Sequence, residues 1–271
     1  MIENASGSTE NSLDIIEGRN PISEALKSGR SINKILVAKG SGESSLNKIV
    51  AQAKAMGVVV QMVDRMVLDK VSVTHAHQGI IAHVAARDYV DVDYILKVAE
   101  DKGEPPFIIM LDEITDPYNL GSVLRTADAV GAHGVIIPKR RAVGLNASVS
   151  KASAGAIEYV PVAQVNNLVQ TIDYLKGKEV WVGAVDASAK TPFYKGELKG
   201  ALALVVGSEG GGIRDLVLKN CDFVVGIPMM GSVSSLNAAV AAGIVMYEAL
   251  KQRDGVKQEN RPPVSPSENS I

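Results

Sequence analysis

The chain has 271 residues, 46% of them hydrophobic and 21% charged, which is enough for one large or two smaller globular domains with a sizeable core. Its single cysteine excludes an intrachain disulfide. No apolar run approaches the roughly 20 residues of a membrane span, and the polar start lacks a signal segment, so we expect a soluble cytoplasmic protein. The net charge is −2, and it becomes +2 without the four acids of the first 17 residues; both values are near neutral, so charge neither requires nor excludes a nucleic-acid partner.

The first predicted domain is small and mixes helices with strands. Residues 1–15 and 254–271 are polar and are predicted to be disordered tails. Residues 16–87 are predicted to form an α/β domain with helices PISEALKSG and SLNKIVAQAKAMG and strands KILVA, VVVQMV and GIIAHVA. Residues 88–105 contain acids, glycine and paired prolines and are predicted to be a linker.

The second predicted domain, residues 106–253, is more regular. Helical segments separate the apolar runs FIIMLDE, GVIIP, EYVPVAQV, VWVGAVD, LALVVGS and FVVGIPM. Such near-continuous apolar runs alternating with helices predict a parallel sheet covered on both faces. In sheets of this kind ligands bind at the carboxyl ends of the strands.

One glycine-rich segment, LVVGSEGGGIRD (204–215), follows a predicted strand at that edge. It has no lysine after its glycines, as a P-loop requires, and Glu209 occupies the second glycine position of a dinucleotide fingerprint. A carboxylate there would repel a phosphate, so the loop favours an uncharged or cationic ligand and disfavours an NTPase or a nucleotide-dependent oxidoreductase. The alternative is a plain strand-to-helix turn with a solvated glutamate.

A second segment, IPMMGSVSSLNAAVAAG (227–243), leads from a strand into the last helix. Ser234 or Ser235 is the expected helix cap. Asn237 is expected just inside an apolar helix, where a buried amide needs partners, and this favours a binding or catalytic role.

A third segment, LDEITDPYNLGSVLRTADAVG, places Asn119 in a turn and Arg125 in the following helix. An arginine among small apolar neighbours usually pairs with a carboxylate or a phosphate. A structural salt bridge to Asp128 or to an acid elsewhere in the chain is the alternative.

Other polar groups carry weaker signals. His75 and His77 have no cysteine or acid at ligand spacing, so no metal site is expected. A basic stretch could contact RNA phosphates or could be a solvated turn; it comprises Lys139, Arg140, Arg141, Asn146 and Lys151.

The three segments together, in this order, resemble the SpoU/TrmH family of RNA ribose 2′-O-methyltransferases of the SPOUT class. The resemblance rests on N-x₅-R at Asn119 and Arg125, on GSEGGGI at 207–213 and on IPMMGSVSSLN at 227–237. EGRNPISEALKSG and HQGIIAHV resemble the family's small substrate-binding domain, which is similar to ribosomal protein L30e. The GRNP opening is most similar to bacterial 23S rRNA guanosine-2′-O-methyltransferases of the RlmB type.

This resemblance implies a C-terminal SPOUT domain with a deep trefoil knot, S-adenosylmethionine as cofactor and an obligate homodimer. It implies that Gly207, Ile227 and Leu236 hold the cofactor. It also implies a catalytic set of Asn119, Arg125, Glu209, Ser235 and Asn237, with Arg125 reaching the partner subunit's site. The expected substrate is a guanosine ribose of 23S rRNA; a tRNA methyltransferase and a catalytically silent RNA-binding protein remain alternatives.

Overall fold

The computed structural model of the chain describes residues 14–40, 44–85, 87–233 and 235–259, with side chains up to Arg253. These residues divide into two compact units. The first unit contains the described residues up to Asp88 together with Gly144–Tyr159. The second contains Tyr89–Val143 and the described residues from Val160 onward.

The first unit is built on a four-stranded sheet in the order β1-β4-β2-β3. Strand β4 is antiparallel to β1 and β2, whereas β2 and β3 are parallel. Its elements up to Asp88 are β1 (Asp14–Glu17), α1 (Arg19–Lys27), β2 (Ile32–Ala38), α2 (Ser44–Ala55), β3 (Val59–Val63), α3 (Arg65–Val71) and β4 (Ile80–Val84). The predicted small α/β domain is confirmed, although β1 begins inside the predicted tail; residues 1–13 lie outside the described residues.

The second unit is built on a six-stranded, all-parallel sheet in the order β10-β8-β9-β5-β6-β7. The remaining elements are α4 (Val92–Asp101), β5 (Phe107–Asp112), α5 (Pro117–Ala129), β6 (Gly134–Pro138), α6 (Ala147–Ala152), β7 (Val162–Val165), α7 (Leu168–Lys176), β8 (Trp181–Val185), β9 (Leu202–Gly207), α8 (Asp215–Asn220), β10 (Phe223–Val225) and α9 (Ala238–Glu259). All of them except α6 belong to this unit. The predicted parallel sheet is confirmed, and the trefoil knot stays a prediction.

Strands β5 and β9 lie side by side in the middle of this sheet. Every residue of both strands is buried, as their near-continuous apolar sequences require. Their register pairs Phe107 with Leu202 and Asp112 with Gly207. The turn after β5 and the glycine loop after β9 therefore leave the sheet at adjacent points.

The stretch 88–105, predicted as a linker, instead contains helix α4. Asp91 caps this helix by accepting the Tyr94 backbone N–H at 2.7 Å, and Ile95 and Ala99 on its inner face are fully buried. The acids that suggested a linker therefore belong to the cap and the first turn of a helix packed into the core.

The predicted C-terminal tail, 254–271, also begins within a helix, because α9 continues to Glu259. Residues 260–271 lie outside the described residues. Within the part of the chain that the structure describes, no helix is both long enough and apolar enough to cross a membrane.

Residues 144–159, which the sequence places inside the domain 106–253, group with the first unit. A buried ion pair network holds the end of this segment. The Glu158 carboxylate, 1% exposed, binds Arg30 at 2.6 Å and Arg87 at 2.9 Å. A buried carboxylate is stable only when it is paired in this way. The pairing explains why the segment packs on the first unit, although the strands before and after it in sequence, β6 and β7, belong to the sheet of the second unit.

Candidate active site

The glycine loop after β9 is a closed turn whose geometry demands glycine. Ser208 and Gly212 exchange two backbone hydrogen bonds, of 3.1 and 2.9 Å, and Gly210 and Gly212 have φ of 77° and 62°. A Cβ on Gly207 would lie 2.1 Å from the backbone carbonyl carbon of Gly212. Gly207 at the strand end and Gly212 on the far side of the loop thus lie too close together for any side chain on Gly207.

Three predicted catalytic residues form one hydrogen-bonded cluster. The Asn119 amide nitrogen donates to Glu209 Oε1 at 3.3 Å. The Asn237 amide nitrogen donates to Asn119 Oδ1 at 2.9 Å and also to Glu209 Oε1. These side chains are up to 118 residues apart in sequence. The structure therefore joins all three quoted segments at a single point.

Two helix N-termini present the two amides. Helix α5 begins earlier than predicted, at Pro117, because Asp116 caps it and accepts the backbone N–H groups of Tyr118 and Asn119 at 3.3 and 3.1 Å. Asn119 thus lies in the first turn of α5 and is buried.

Asn237 is the cap of α9, and this corrects the expected cap at Ser234 or Ser235. Its Oδ1 accepts the N–H groups of Ala239 and Val240 at 3.0 and 3.1 Å. Helix α9 starts only at Ala238, so Asn237 lies outside the helix rather than inside it. Because the oxygen is committed to the cap, the amide nitrogen must face Glu209. Ser234 lies outside the described residues.

A cleft of about 380 Å³ adjoins the cluster. It contains the predicted cofactor residues Gly207, Ile227 and Leu236, together with two predicted catalytic residues, Ser235 and Glu209. Its other lining residues are Val185, Asp186, Ala187, Val206, Ser208, Gly210, Gly211, Gly212, Met229, Ala238 and Ala241. Glu209 alone belongs to both the cleft and the amide cluster.

The charged side chains in the lining of this cleft are both acidic. They belong to Glu209 and Asp186, and no lysine or arginine is among the described lining residues. Asp186 follows β8, and its Oδ1 accepts the N–H and the hydroxyl of Ser188 at 2.8 and 2.6 Å. Such a cleft opposes a phosphate and favours a ligand with a positive charge. Sequence reasoning missed Asp186, although an acid at the end of the buried run VWVGAVD was a usable signal.

Arg125 stands apart from these groups. It is exposed on α5, and it does not line the cleft. Within the described residues the Arg125 guanidinium makes no hydrogen bond or ion pair, so the structural salt bridge considered as an alternative is absent. The cluster of Asn119, Glu209 and Asn237 is therefore assembled without it.

An ion pair between a buried carboxylate and an arginine, which the sequence analysis did not predict, fixes the glycine loop. Asp112 ends β5 and is fully buried. Arg214, directly after the loop, contacts Asp112 Oδ1 through Nη2 at 2.7 Å and through Nε at 2.9 Å, and its backbone N–H donates to Oδ2 at 2.9 Å. The hydrogen bonds to Asp112 raise the pKa of the Arg214 guanidinium. This forked contact ties the loop to the neighbouring strand.

The histidine and cysteine of the second unit have structural surroundings. Burial raises the pKa of the Cys221 thiol to about 11, so it stays protonated at neutral pH. Burial lowers the pKa of His133, whose Nδ1 accepts the Phe107 N–H at 2.9 Å. Neither residue lines the cleft.

The basic stretch after β6 is divided between the two units. Asn146 caps α6, with Oδ1 accepting the Val149 N–H at 3.0 Å. Lys151 donates to Thr74 Oγ1 at 3.0 Å in the first unit. Lys139, Arg140 and Arg141 are exposed in the second unit, where Arg141 pairs with Glu113 at 3.2 Å. Contact of these residues with RNA stays a prediction.

Comparison with known proteins agrees with this geometry. Residues 106–247 match the SpoU rRNA Methylase family, and residues 15–90 match a domain described as RNA 2′-O ribose methyltransferase substrate binding. YacO of Bacillus subtilis (strain 168), assigned to the TrmH family of tRNA/rRNA methyltransferases, is 49% identical over 243 residues, which cover 90% of this chain and 97% of YacO.

Solved structures are similar in fold over most of the chain. A crystal structure of an RNA 2′-O ribose methyltransferase is 27% identical, with a TM-score of 0.72 and 88% of each chain covered. The fold of the SpoU methyltransferase AviRb from Streptomyces viridochromogenes, solved in complex with the cofactor AdoMet, is also similar; it is 24% identical, with a TM-score of 0.76 and coverage of 93% of this chain and 95% of AviRb. With both matched domains in one chain and the family's three segments joined by one hydrogen-bonded cluster, this protein belongs to the SpoU/TrmH family of RNA 2′-O-ribose methyltransferases.

Proposed function

We propose that this enzyme transfers a methyl group from S-adenosylmethionine to a guanosine ribose 2′-hydroxyl in 23S rRNA. The observation that carries the proposal is the cluster of Asn119, Glu209 and Asn237 at the edge of a glycine-walled, acidic cleft. Membership of the family supports the reaction and the cofactor. The presence of the substrate-binding domain and the GRNP segment favour 23S rRNA over tRNA.

The cleft fits the cofactor by shape and by charge. A side chain has no room at Gly207, and Gly207, Ile227 and Leu236 line the cleft, where their backbone groups would hold the cofactor. The carboxylates of Glu209 and Asp186 favour the positive charge of a sulfonium and of an amino group. When bound, S-adenosylmethionine supplies an activated methyl group on sulfur.

The side chains around the cleft would align the nucleophile. A ribose hydroxyl is a weak nucleophile at neutral pH, so it must be held in line with the methyl group and stabilised as it loses its proton. Asn119, Ser235 and Asn237 have the donors and acceptors to orient it. With the cofactor bound, these residues would hold the ribose oxygen in line with the methyl group that the cofactor would supply, and the hydroxyl proton would pass to solvent water.

Arg125 has a different role in this proposal. A guanidinium group stays protonated in proteins, so Arg125 does not act as the base. It grips the phosphate next to the target ribose and stabilises the developing alkoxide. Because Arg125 is exposed and is not among the residues that line the cleft, we propose that it acts in the partner subunit's site of a homodimer.

The test is transfer of labelled methyl from S-adenosylmethionine to unmodified 23S rRNA and, in parallel, to bulk tRNA. We expect label on one guanosine ribose of 23S rRNA and a loss of roughly 100-fold or more with Arg125→Ala, the size expected for removing a charge-stabilising group. Arg125→Lys separates the two roles of the arginine. Lysine cannot form a forked phosphate contact, so we expect it to stay impaired at high pH, whereas recovery at high pH would indicate a base.

Each other outcome corrects a defined part of the proposal. Label on tRNA alone would retain the mechanism and replace the substrate. No label on either RNA, with cofactor still bound in a calorimetric titration, would indicate a silent RNA-binding protein. Failure to bind S-adenosylmethionine would overturn the proposed site.

A further inference from the structure

The second unit contains a pocket of about 440 Å³ whose lining shares no residue with the lining of the cofactor cleft. Three arginines line it: Arg140 and Arg141, which follow β6, and Arg214, which follows the glycine loop. No aspartate or glutamate is among its described lining residues. We call it the arginine pocket. Its lining contrasts with that of the cofactor cleft, whose charged side chains are both acidic.

The arginine pocket lies at the same edge of the sheet as the cofactor cleft. Pro138 at the end of β6 and Asn166, directly after β7, line it, and the register of these strands pairs Pro138 with Val165. Gly212 lines the cofactor cleft, and Arg214, two residues further along the chain, lines the arginine pocket. The two cavities are therefore adjacent along the glycine loop, at the edge where parallel sheets bind their ligands.

Arg140 provides a positive charge without a counter-charge. It is exposed, and within the described residues its guanidinium makes no hydrogen bond or ion pair. Two nearby carboxylates are engaged with the other arginines. Asp112 binds Arg214 at 2.7 Å. Glu113 binds Arg141 at 3.2 Å. The three arginines and two carboxylates leave one net positive charge, which an anion with a single charge would balance.

Arg214 and Arg141 are held in place and still have donors to offer. Arg214 contacts Asp112 through Nε and Nη2, and 45% of its side chain is exposed. Its Nη1 makes no hydrogen bond within the part of the chain that the structure describes. Because a guanidinium has about five N–H donors, both arginines keep several for a ligand. Side chains that are fixed before binding lose less conformational entropy on binding.

The turn that carries Arg141 has an uncommon backbone conformation. Arg141 has a φ of 57°, and its ion-pair partner Glu113 has a φ of 58°. Residues other than glycine rarely adopt this left-handed conformation, because Cβ crowds the backbone. Such conformations are concentrated at ligand-binding and active sites, where the surrounding structure imposes them. The conformation of Arg141 therefore agrees with a ligand-binding role for the turn after β6.

We propose that the arginine pocket binds a backbone phosphate of the RNA substrate near the target nucleotide, with a forked contact from Arg140 and further donors from Arg141 and Arg214. A phosphodiester carries one negative charge, which matches the one uncompensated charge of the pocket. Arginine forms forked contacts with phosphate oxygens, and clefts that hold ligands typically measure about 300–1,000 Å³. The inference rests on the proposed function in taking RNA as the substrate, and the phosphate is a different one from that assigned to Arg125.

The experiment uses the full chain with Arg140→Ala, Arg140→Lys and Arg140→Glu. Because Arg140 makes no hydrogen bond or ion pair within the described residues, these changes should leave the free energy of unfolding unchanged. Lys219→Ala is the matched control, since Lys219 is an exposed cation on α8 that does not line the pocket, whereas Leu216 and Val217 of the same helix do. Filter binding measures the affinity for transcripts of 23S rRNA and of tRNA over a range of salt concentrations. Calorimetry measures the affinity for S-adenosylmethionine.

We expect Arg140→Ala to weaken binding of the substrate RNA by roughly threefold to tenfold, and Arg140→Glu by about thirtyfold. Arg140→Lys keeps the charge but loses the fork, so its affinity should lie between those of Arg140→Ala and the original chain. In Arg140→Ala the slope of log K against log salt should fall by about 0.7–0.9, because one phosphate is no longer neutralised. KM for RNA should rise, whereas kcat at saturating RNA and the affinity for S-adenosylmethionine should stay unchanged. Lys219→Ala should bind RNA as the original chain does.

Unchanged RNA affinity and salt slope in Arg140→Glu would overturn the assignment, and so would equal weakening of RNA binding by Lys219→Ala. Calorimetric titration with inorganic phosphate and with a nucleoside monophosphate tests for a free phosphate compound. Binding of either compound that is lost in Arg140→Glu, with RNA affinity unchanged, would assign the pocket to such a compound instead of RNA. If the chain methylated neither RNA but lost RNA affinity in the Arg140 variants alone, the proposed function would fail and the assignment of the pocket would stand.

Discussion

At the scale of single residues, the Asn237 amide has two roles, one for its oxygen and one for its nitrogen. Its oxygen caps α9 by accepting two backbone N–H groups, and its nitrogen donates to Asn119 and Glu209. The cap fixes the orientation of the amide, and a fixed donor can be placed where a reaction needs it. A serine or an aspartate would cap the helix as well, so capping alone does not explain the choice of asparagine.

Replacing Asn237 with Asp separates the capping role of the side chain from its role as a hydrogen-bond donor. Aspartate still caps α9, so we expect the free energy of unfolding to change little. It removes the amide donors and places a second carboxylate beside Glu209, so kcat should fall roughly 100-fold. The measurements are chemical denaturation and methyl transfer with the same preparation.

The matched control is Asn167→Asp, because Asn167 caps α7 in the same way, with Oδ1 accepting the Val169 N–H at 2.9 Å. Its activity should stay near that of the original chain. If Asn237→Asp retained full activity, the amide nitrogen would have no role in the reaction.

At the scale of elements, the site lies where two strand-to-helix connections and one strand-to-loop connection come together. The glycine loop leaves β9, α5 follows β5, and the segment after β10 leads to α9. The hydrogen bonds between Arg214 and Asp112 tie the loop to β5. Loop and helices can therefore hold the amide cluster in a constant geometry although they come from distant parts of the chain.

Replacing Gly207 with Ala tests the tightness of the glycine loop. The added Cβ would contact the backbone of Gly212 at 2.1 Å, and backbone atoms cannot move aside as a flexible side chain can. We expect a loss of about 1–3 kcal/mol in the free energy of unfolding, as for other overpacked sites. S-adenosylmethionine affinity should fall at least tenfold.

The control for this variant is Gly231→Ala in the second loop, where no atom lies within 4 Å of the added Cβ. It should leave both quantities nearly unchanged. Normal cofactor binding by Gly207→Ala would mean that the loop relaxes and that its glycine is not required for the site.

At the scale of the whole molecule, the position of Arg125 leads to a prediction about subunits. If Arg125 completes the partner's site in a symmetric dimer, two inactive variants should complement each other. Co-expression of Arg125→Ala with Asn237→Ala, each carrying a different tag, should restore roughly a quarter of the original activity, because half of the dimers are mixed and each has one intact site.

The control pairs Asn237→Ala with Glu209→Ala. These side chains contact each other within one chain, so no mixed dimer of that pair contains an intact site. Activity there should stay at the level of the single variants. An inactive first mixture would show instead that Arg125 acts in the site of its own chain.

The elements of the second unit differ in how well their local sequence patterns predict them. The buried strands of the second unit, from β5 to β10, were predictable because near-continuous apolar runs are typical of a parallel sheet. Helix α4 was not, since its capping Asp91 and first-turn Asp93 resemble a polar linker until Ile95 and Ala99 are seen to be buried. Burial decides between these interpretations, and burial depends on the rest of the fold.

The sequence by itself determined the parallel sheet, the glycine loop with its glutamate, and the three segments that identify the family, because strand periodicity, turn chemistry and motif spacing are properties of short stretches. The tertiary structure alone decided that Asn119 meets Glu209 across 90 residues, that Arg214 binds Asp112 across 102, and that residues 144–159 pack on the first unit. These contacts follow from strand order, which places β9 beside β5 in one register. Strand order results from the packing of the whole core, and no local pattern encodes it.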